Sequence, residues 1–237
     1  MSLSKTFFSK NNSLKCDYVD SNIENFGVLL KGKSLEVIKS YNEEFDSCFI
    51  VSDFDDELSV IGDFLTNKTI MHFTNRSKQS SLSKSNYKKF KINKIQTGQV
   101  FRWKHFRLME TFFHYKKMFT GLEVYSLPEK MLKFNREFST EYLLKFPNTG
   151  ILSLAYTLEM IKPKRLWVFG LDFYSVPYMQ KQSQITNLRI DQQALKLEKL
   201  NIPNFVFNLF QSYPNTKIFV SSAYPKWPKI NNVQMIN

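Results

Sequence analysis

Phe26-Gly27-Val28-Leu29-Leu30-Lys31-Gly32-Lys33-Ser34-Leu35 opens the stretch that decides the fold. A short apolar strand runs into a Lys-Gly-Lys-Ser turn, and Glu36-Val-Ile-Lys-Ser-Tyr41 continues as a helix. Cys48-Phe-Ile-Val51 is a second strand, ending in Ser52-Asp53-Phe54-Asp55-Asp56-Glu57, with a helix over Leu58–Leu65. Thr69-Ile-Met-His-Phe-Thr-Asn75 is a third strand. The order β-α-β-α-β implies a parallel sheet with crossover helices. In such sheets ligands collect beyond the C-terminal strand ends. That rim carries Lys31, Gly32, Ser34, Asp53 and Asn75. The strand–Gly–Ser–helix unit suits a phosphate on free backbone N–H groups. It lacks the glycines of a dinucleotide fingerprint and the spacing of a P-loop.

Working outward, the 237 residues suit one large domain or one domain with an insert. A hydrophobic share of 43%, with 16% of all residues aromatic, is enough for a packed core and excludes general disorder. Two cysteines, Cys16 and Cys48, cannot build a disulfide framework and read as reduced thiols of a cytoplasmic protein. The longest apolar run, around Leu166–Leu171, has the length of a strand and falls far short of a membrane span. The first residues lack the apolar stretch of a secretory signal.

The net charge of +12 is concentrated. Residues 1–75 hold 7 basic and 12 acidic residues, whereas Arg76–Lys117 holds 12 basic residues and one acid, Glu110. Such a block suits a polyanion, an anionic membrane surface or a phosphorylated ligand, or is simply a solvated basic face. Its interleaved Phe, Tyr and Trp leave open a nucleic-acid-binding or nucleotide-binding protein. Gln79–Asn93, rich in Ser and Lys, reads as a loop, and Trp103–Phe119 as a helix.

Further on, Glu129–Phe138 is helical, and Pro147-Asn148-Thr149-Gly150 opens an apolar helix over Ile151–Ile161 that Pro163 ends. Thr149 is placed to cap this helix, and Gly150 lets a ligand approach its backbone. Arg165-Leu-Trp-Val-Phe-Gly-Leu-Asp-Phe-Tyr174 is a buried strand running into Gly170, Asp172 and Tyr174. Asp191–Leu200 reads as an amphipathic helix and Thr216–Ser222 as a last strand.

The run Pro147-Asn-Thr-Gly-Ile-Leu-Ser-Leu-Ala-Tyr-Thr-Leu158, followed by the strand ending Gly170-Leu-Asp-Phe-Tyr174, resembles the sialyltransferases, most of all the bacterial glycosyltransferase family 42. It is also similar to the S motif of the animal enzymes, with its Ser-Thr-Gly-Leu-Leu. Gly32-Lys33-Ser34-Leu35 matches the family's Gly-Pro-Ser-Leu turn, with Lys33 replacing the proline. Asn75 matches a strand-end asparagine of the family; Asp53, or Ser52 beside it, stands where the family has another. The resemblance covers roughly residues 26–75 and 146–224.

This resemblance implies an α/β fold: a Rossmann-like central parallel sheet with helices on both faces, a GT-A-like variant, with residues 76–145 as an inserted basic helical cap. It implies inverting, metal-independent transfer of sialic acid or a related nonulosonic acid to a glycan or glycolipid acceptor. The CMP-activated donor is then a substrate, and no cofactor is needed. Gly32, Ser34, Asp53, Asn75, Asn148, Thr149, Gly150, Gly170 and Asp172 form the implied donor site. Tyr174 and Tyr178 match the tyrosines that assist the departing phosphate. A phenol suits that task because it donates to growing negative charge. The family's lid histidine has no counterpart, since no histidine follows His114. That leaves His105, His114 or a carboxylate such as Asp191 as base, or a chain that does not catalyse this transfer; His114 is placed in the catalytic set. The segment 76–117 would meet an anionic membrane surface, making the protein peripheral at the inner face.

Overall fold

The computed structural model describes residues 13–15, 23–74, 82–100, 110, 112–115, 121–142, 148–175 and 200–237. Among them, nine strands form one sheet in which every neighbouring pair is parallel. The strands are β1 (Ser13–Lys15), β2 (Asn25–Leu29), β3 (Ser47–Val51), β4 (Thr69–Thr74), β5 (Lys94–Val100), β6 (Glu123–Leu127), β7 (Arg165–Phe169), β8 (Lys217–Val220) and β9 (Val233–Met235). Their spatial order is β1-β6-β5-β4-β3-β2-β7-β8-β9. From β2 the chain walks to one side through β6, and from β7 it walks to the other. The order therefore reverses between β2 and β7, where the loops leaving two adjacent strands diverge and open a crevice.

Side-chain alternation along these strands builds two apolar layers. Phe26, Val28, Phe49, Met71, Phe73, Leu166, Val168, Ile218 and Val220 face one way. Leu29, Cys48, Ile50, Ile70, Trp167, Phe169 and Phe219 face the other. The first layer is covered by α3 (Lys130–Tyr142), α4 (Thr149–Tyr156) and α5 (Ile202–Gln211). The second is covered by the 3-10 helix Lys33–Ser40, α1 (Asp55–Ile61) and α2 (Lys84–Lys89). The α/β architecture with helices on both faces is thus as expected. Cys48 is a free, buried thiol, and burial outweighs the opposing pull of Lys68 to push its pKa up to about 12. Among the described residues no helix is long and apolar enough to cross a membrane.

The structure corrects the reading of residues 76–145 as a helical cap. This segment supplies β5 and β6 to the sheet, with Ile95 paired to Val124 and both side chains buried. Gln96 and Thr97 are buried too, because β5 lies between β4 and β6 with layers above and below. Polar side chains concealed this strand from a periodicity reading. The loop expected over 79–93 contains α2, because Ser83 caps it by accepting from the Asn86 N–H at 3.3 Å. Asp55 fixes that cap by accepting from the Ser83 N–H at 2.7 and 2.9 Å. The lysines of this helix and its turn, Lys84, Lys88, Lys89 and Lys91, point to solvent. Of the helix expected over Trp103–Phe119, the described residues 110 and 112–115 are helical. The helix expected over Asp191–Leu200 lies outside the described residues, apart from Leu200 in a turn.

Candidate active site

The crevice between β2 and β7 holds a cavity of about 200 Å³. Four chain segments line it: Leu30–Gly32 after β2, Val51 and Ser52 at the end of β3, Asn148–Ile151 at the start of α4, and Gly170–Tyr174 after β7. Of the residues expected at the donor site, Gly32, Asn148, Thr149, Gly150, Gly170 and Asp172 meet here, together with Tyr174 from the catalytic set.

The two loops meet back to back through glycine. Gly32 N–H donates to Gly170 O at 3.0 Å, and Leu30 N–H to Phe169 O at 2.8 Å. Gly170 has φ +77°, a left-handed conformation that glycine adopts without a Cβ clash. A Cβ there would lie 2.8 Å from the Leu30 carbonyl carbon and 2.9 Å from Gly32 N. A Cβ on Gly32 would lie 2.5 Å from Gly170 O and 2.6 Å from Asp172 Cγ. These glycines are therefore required by loop-to-loop packing at the cavity floor. Phe173 and Tyr174 follow with φ +48° and +61°. Two successive left-handed non-glycine residues on the cavity wall store backbone strain, which persists where packing dictates it.

Asp172 is 2% exposed, and its carboxylate is committed to the protein. Oδ2 accepts from the Ser34 N–H at 3.0 Å; Oδ1 accepts from the Ala223 N–H at 2.8 Å and from the Ser34 hydroxyl. Ser221 adds to this knot: its hydroxyl donates to Ser34 O at 2.8 Å and accepts from Gly170 N–H at 3.3 Å. Asp172 thus ties the loops after β2, β7 and β8 together. Asp172 and Ser34, both expected at the donor site, are hydrogen-bonded to each other, and of the two Asp172 lines the cavity. In the sequence Ser221 carries no signal beyond a Ser-Ser pair ending a strand.

Helix α4 starts with its capped end in the cavity. Asn148, not Thr149, is the cap: its side chain accepts from Ile151 N–H at 2.8 Å. Thr149 is the first helical residue, and the N–H groups of Thr149 and Gly150 are at the helix start, where the dipole favours an anion.

At the β3 end Ser52, and not Asp53, is on the cavity wall. Ser52 lines the cavity with φ +66°. Its carbonyl is 2.8 Å from His72 Nε2, which donates to it, leaving His72 Nδ1 to accept from the Tyr87 hydroxyl at 2.7 Å. Burial raises the Tyr87 pKa, so this phenol keeps its proton. Asp53 is instead exposed, with its carboxylate 3.1 Å from Lys31 Nζ. His72 is fully buried within β4.

His114 does not reach the cavity. It is half-buried beside Tyr115, with ring centroids 5.2 Å apart, and Tyr115 belongs to the second apolar layer. Its helix packs on the sheet face opposite α4, which corrects the placement of His114 as general base. Asn75, His105, Tyr178 and Asp191 lie outside the described residues. Among the described residues no cluster of three or more His, Cys, Asp or Glu side chains is set to hold a metal.

The architecture is a parallel α/β sheet with its cavity at the reversal of strand order. Two solved structures are similar to it over most of their length. The sialyltransferase CST-II in complex with trisaccharide acceptor and CMP is 17% identical, with a TM-score of 0.49, over 89% of this chain and 85% of that chain. A point mutant of the alpha-2,3/8-sialyltransferase CstII is 18% identical, with a TM-score of 0.47, over 89% of this chain and 86% of that one. No protein-family model matches the chain, and no curated protein matches it.

Proposed function

We propose that this chain is a glycosyltransferase that moves sialic acid or a related nonulosonic acid from a CMP-activated donor to a glycan or glycolipid acceptor. The transfer inverts the anomeric centre and needs no metal. One observation carries this reading. The start of one segment that resembles the sialyltransferase motifs, Asn148–Ile151, and the other segment, Gly170–Tyr174, line the same cavity, at the place where an α/β sheet collects its ligand.

In this reading the phosphate lies at the start of α4, against the Thr149 and Gly150 N–H groups. The cytidine is reached by Asn148, Thr149 and the backbone around Gly170. The Tyr174 phenol donates to the phosphate as negative charge builds on it. Asp172 acts through Ser34 and Ala223 by tying the loops together at fixed spacing. The cavity is smaller than the roughly 300–1,000 Å³ common for small-molecule sites, so the donor's sugar and the acceptor extend beyond the described walls.

The test is release of CMP from CMP-sialic acid in the presence of a glycan acceptor, with and without EDTA. The expected result is acceptor-dependent CMP release that EDTA leaves unchanged. Release of no CMP from any nonulosonic acid donor, across an acceptor panel, contradicts the transferase reading. Loss of release in EDTA contradicts metal independence alone.

A further inference from the structure

We propose that Lys31 is the cation that receives an oxyanion of the ligand, and that Asp53 is its exchangeable counter-ion in the ligand-free protein. The identity of the ligand rests on the nucleotide-sugar reading above; the exchange itself rests on the three side chains described next.

Lys31 lines the cavity at the β2 end, and its side chain is 14% exposed. Its Nζ lies 3.1 Å from Asp53 Oδ1 and 3.9 Å from Glu57 Oε1. The two acids are not equivalent. Glu57 sits in the first turn of α1 and is fully buried, so it holds the lysine from behind and cannot turn to water. The Asp53 side chain is 60% exposed, in the loop after β3. Releasing Lys31 returns the Asp53 carboxylate to the solvent that already surrounds most of it. A phosphate or carboxylate docked in the recessed cavity makes a stronger, charge-assisted bond to the same ammonium. The exchange therefore runs from Asp53 to the ligand.

Charge balance adds a second argument. Without Lys31, Asp53 and Glu57 would present two carboxylates near the anion, and the like charges would repel it. Lys31 turns this corner of the cavity from anion-repelling to anion-accepting. The lysine also sets a preference: a neutral nucleoside gains nothing from it, whereas a phosphate monoester or a sugar carboxylate does.

The experiment is calorimetric titration of the whole chain with CMP, cytidine and free sialic acid. Four proteins are compared: wild type, Lys31→Met, Lys31→Met/Glu57→Gln and Asp53→Asn. The double variant removes the buried charge that Lys31→Met alone leaves uncompensated, so a folding defect is separable from a binding defect. Lys31→Met and the double variant are expected to weaken binding of the anionic probe about tenfold or more and leave cytidine unchanged. Asp53→Asn is expected to tighten the anionic probe about two- to fivefold, by removing the competitor. A Lys31 effect confined to CMP identifies the anion as the phosphate, and one confined to free sialic acid identifies the carboxylate. CMP bound equally by wild type and the double variant overturns the proposal and leaves the nucleotide reading standing. Weaker binding by Asp53→Asn also overturns it. A wild type that binds none of the three probes overturns both.

Discussion

Gly170→Ala is expected to destabilise the protein by about 3 kcal/mol and lower Tm by roughly 10 °C, as measured by thermal and urea unfolding. Two independent costs add at this position. The backbone at φ +77° lies where an L side chain is strained. The new Cβ would press on the Leu30 carbonyl and on Gly32 N, which are backbone atoms and cannot swing aside as a side chain would. Relief requires the β2 and β7 loops to separate, which breaks the Gly32 N–H to Gly170 O bond. Because these loops form the cavity floor, CMP affinity should fall together with stability. A variant with unchanged Tm would show that the two loops do not meet as described.

Asp172→Ala carries the second large effect, about 4 kcal/mol lost in urea unfolding. The substitution leaves the Ser34 and Ala223 N–H groups without their acceptor in a site that is nearly closed to water. Hydrogen bonds to a charged acceptor contribute about 1.5–3 kcal/mol each, and their losses overlap because Ser34 supplies two of the three donors. Asp172→Asn is expected to fall between, near 2 kcal/mol. Whichever way its amide turns, an NH2 group faces a backbone N–H that needs an acceptor, since each oxygen of Asp172 receives one. Equal stability of Asp172→Ala and wild type would contradict this tie between the loops; it would instead place the carboxylate at the ligand.

Much of this was legible from the residues. The apolar runs 26–30, 48–51 and 69–74 show strands because each is buried on both faces, which makes it a continuous hydrophobic block between turn residues. The same holds for 165–169. The strand β5 was hidden because its core positions include Gln96 and Thr97, whose hydrogen bonds to Thr97 O and Tyr125 O make their burial acceptable. The site's location followed from the parallel order alone. What each residue does there did not. Asp172 looks like a ligand contact in the chain, and only the fold brings Ser34 and Ala223, 138 and 51 residues away, to both of its oxygens. His114 was attractive as a titratable group in a basic segment, but a helical register on the far sheet face removes it from the cavity.

The cavity between β2 and β7 is proposed to bind the CMP portion of an activated sugar. Calorimetric titration of the protein with CMP, alongside UMP, GMP and ADP, tests it most directly. The predicted result is binding of CMP in preference to the other three, lost in Thr149→Trp, whose indole would fill the space at the start of α4. Absence of binding by any of the four nucleotides, or CMP binding that survives Thr149→Trp unchanged, would contradict it.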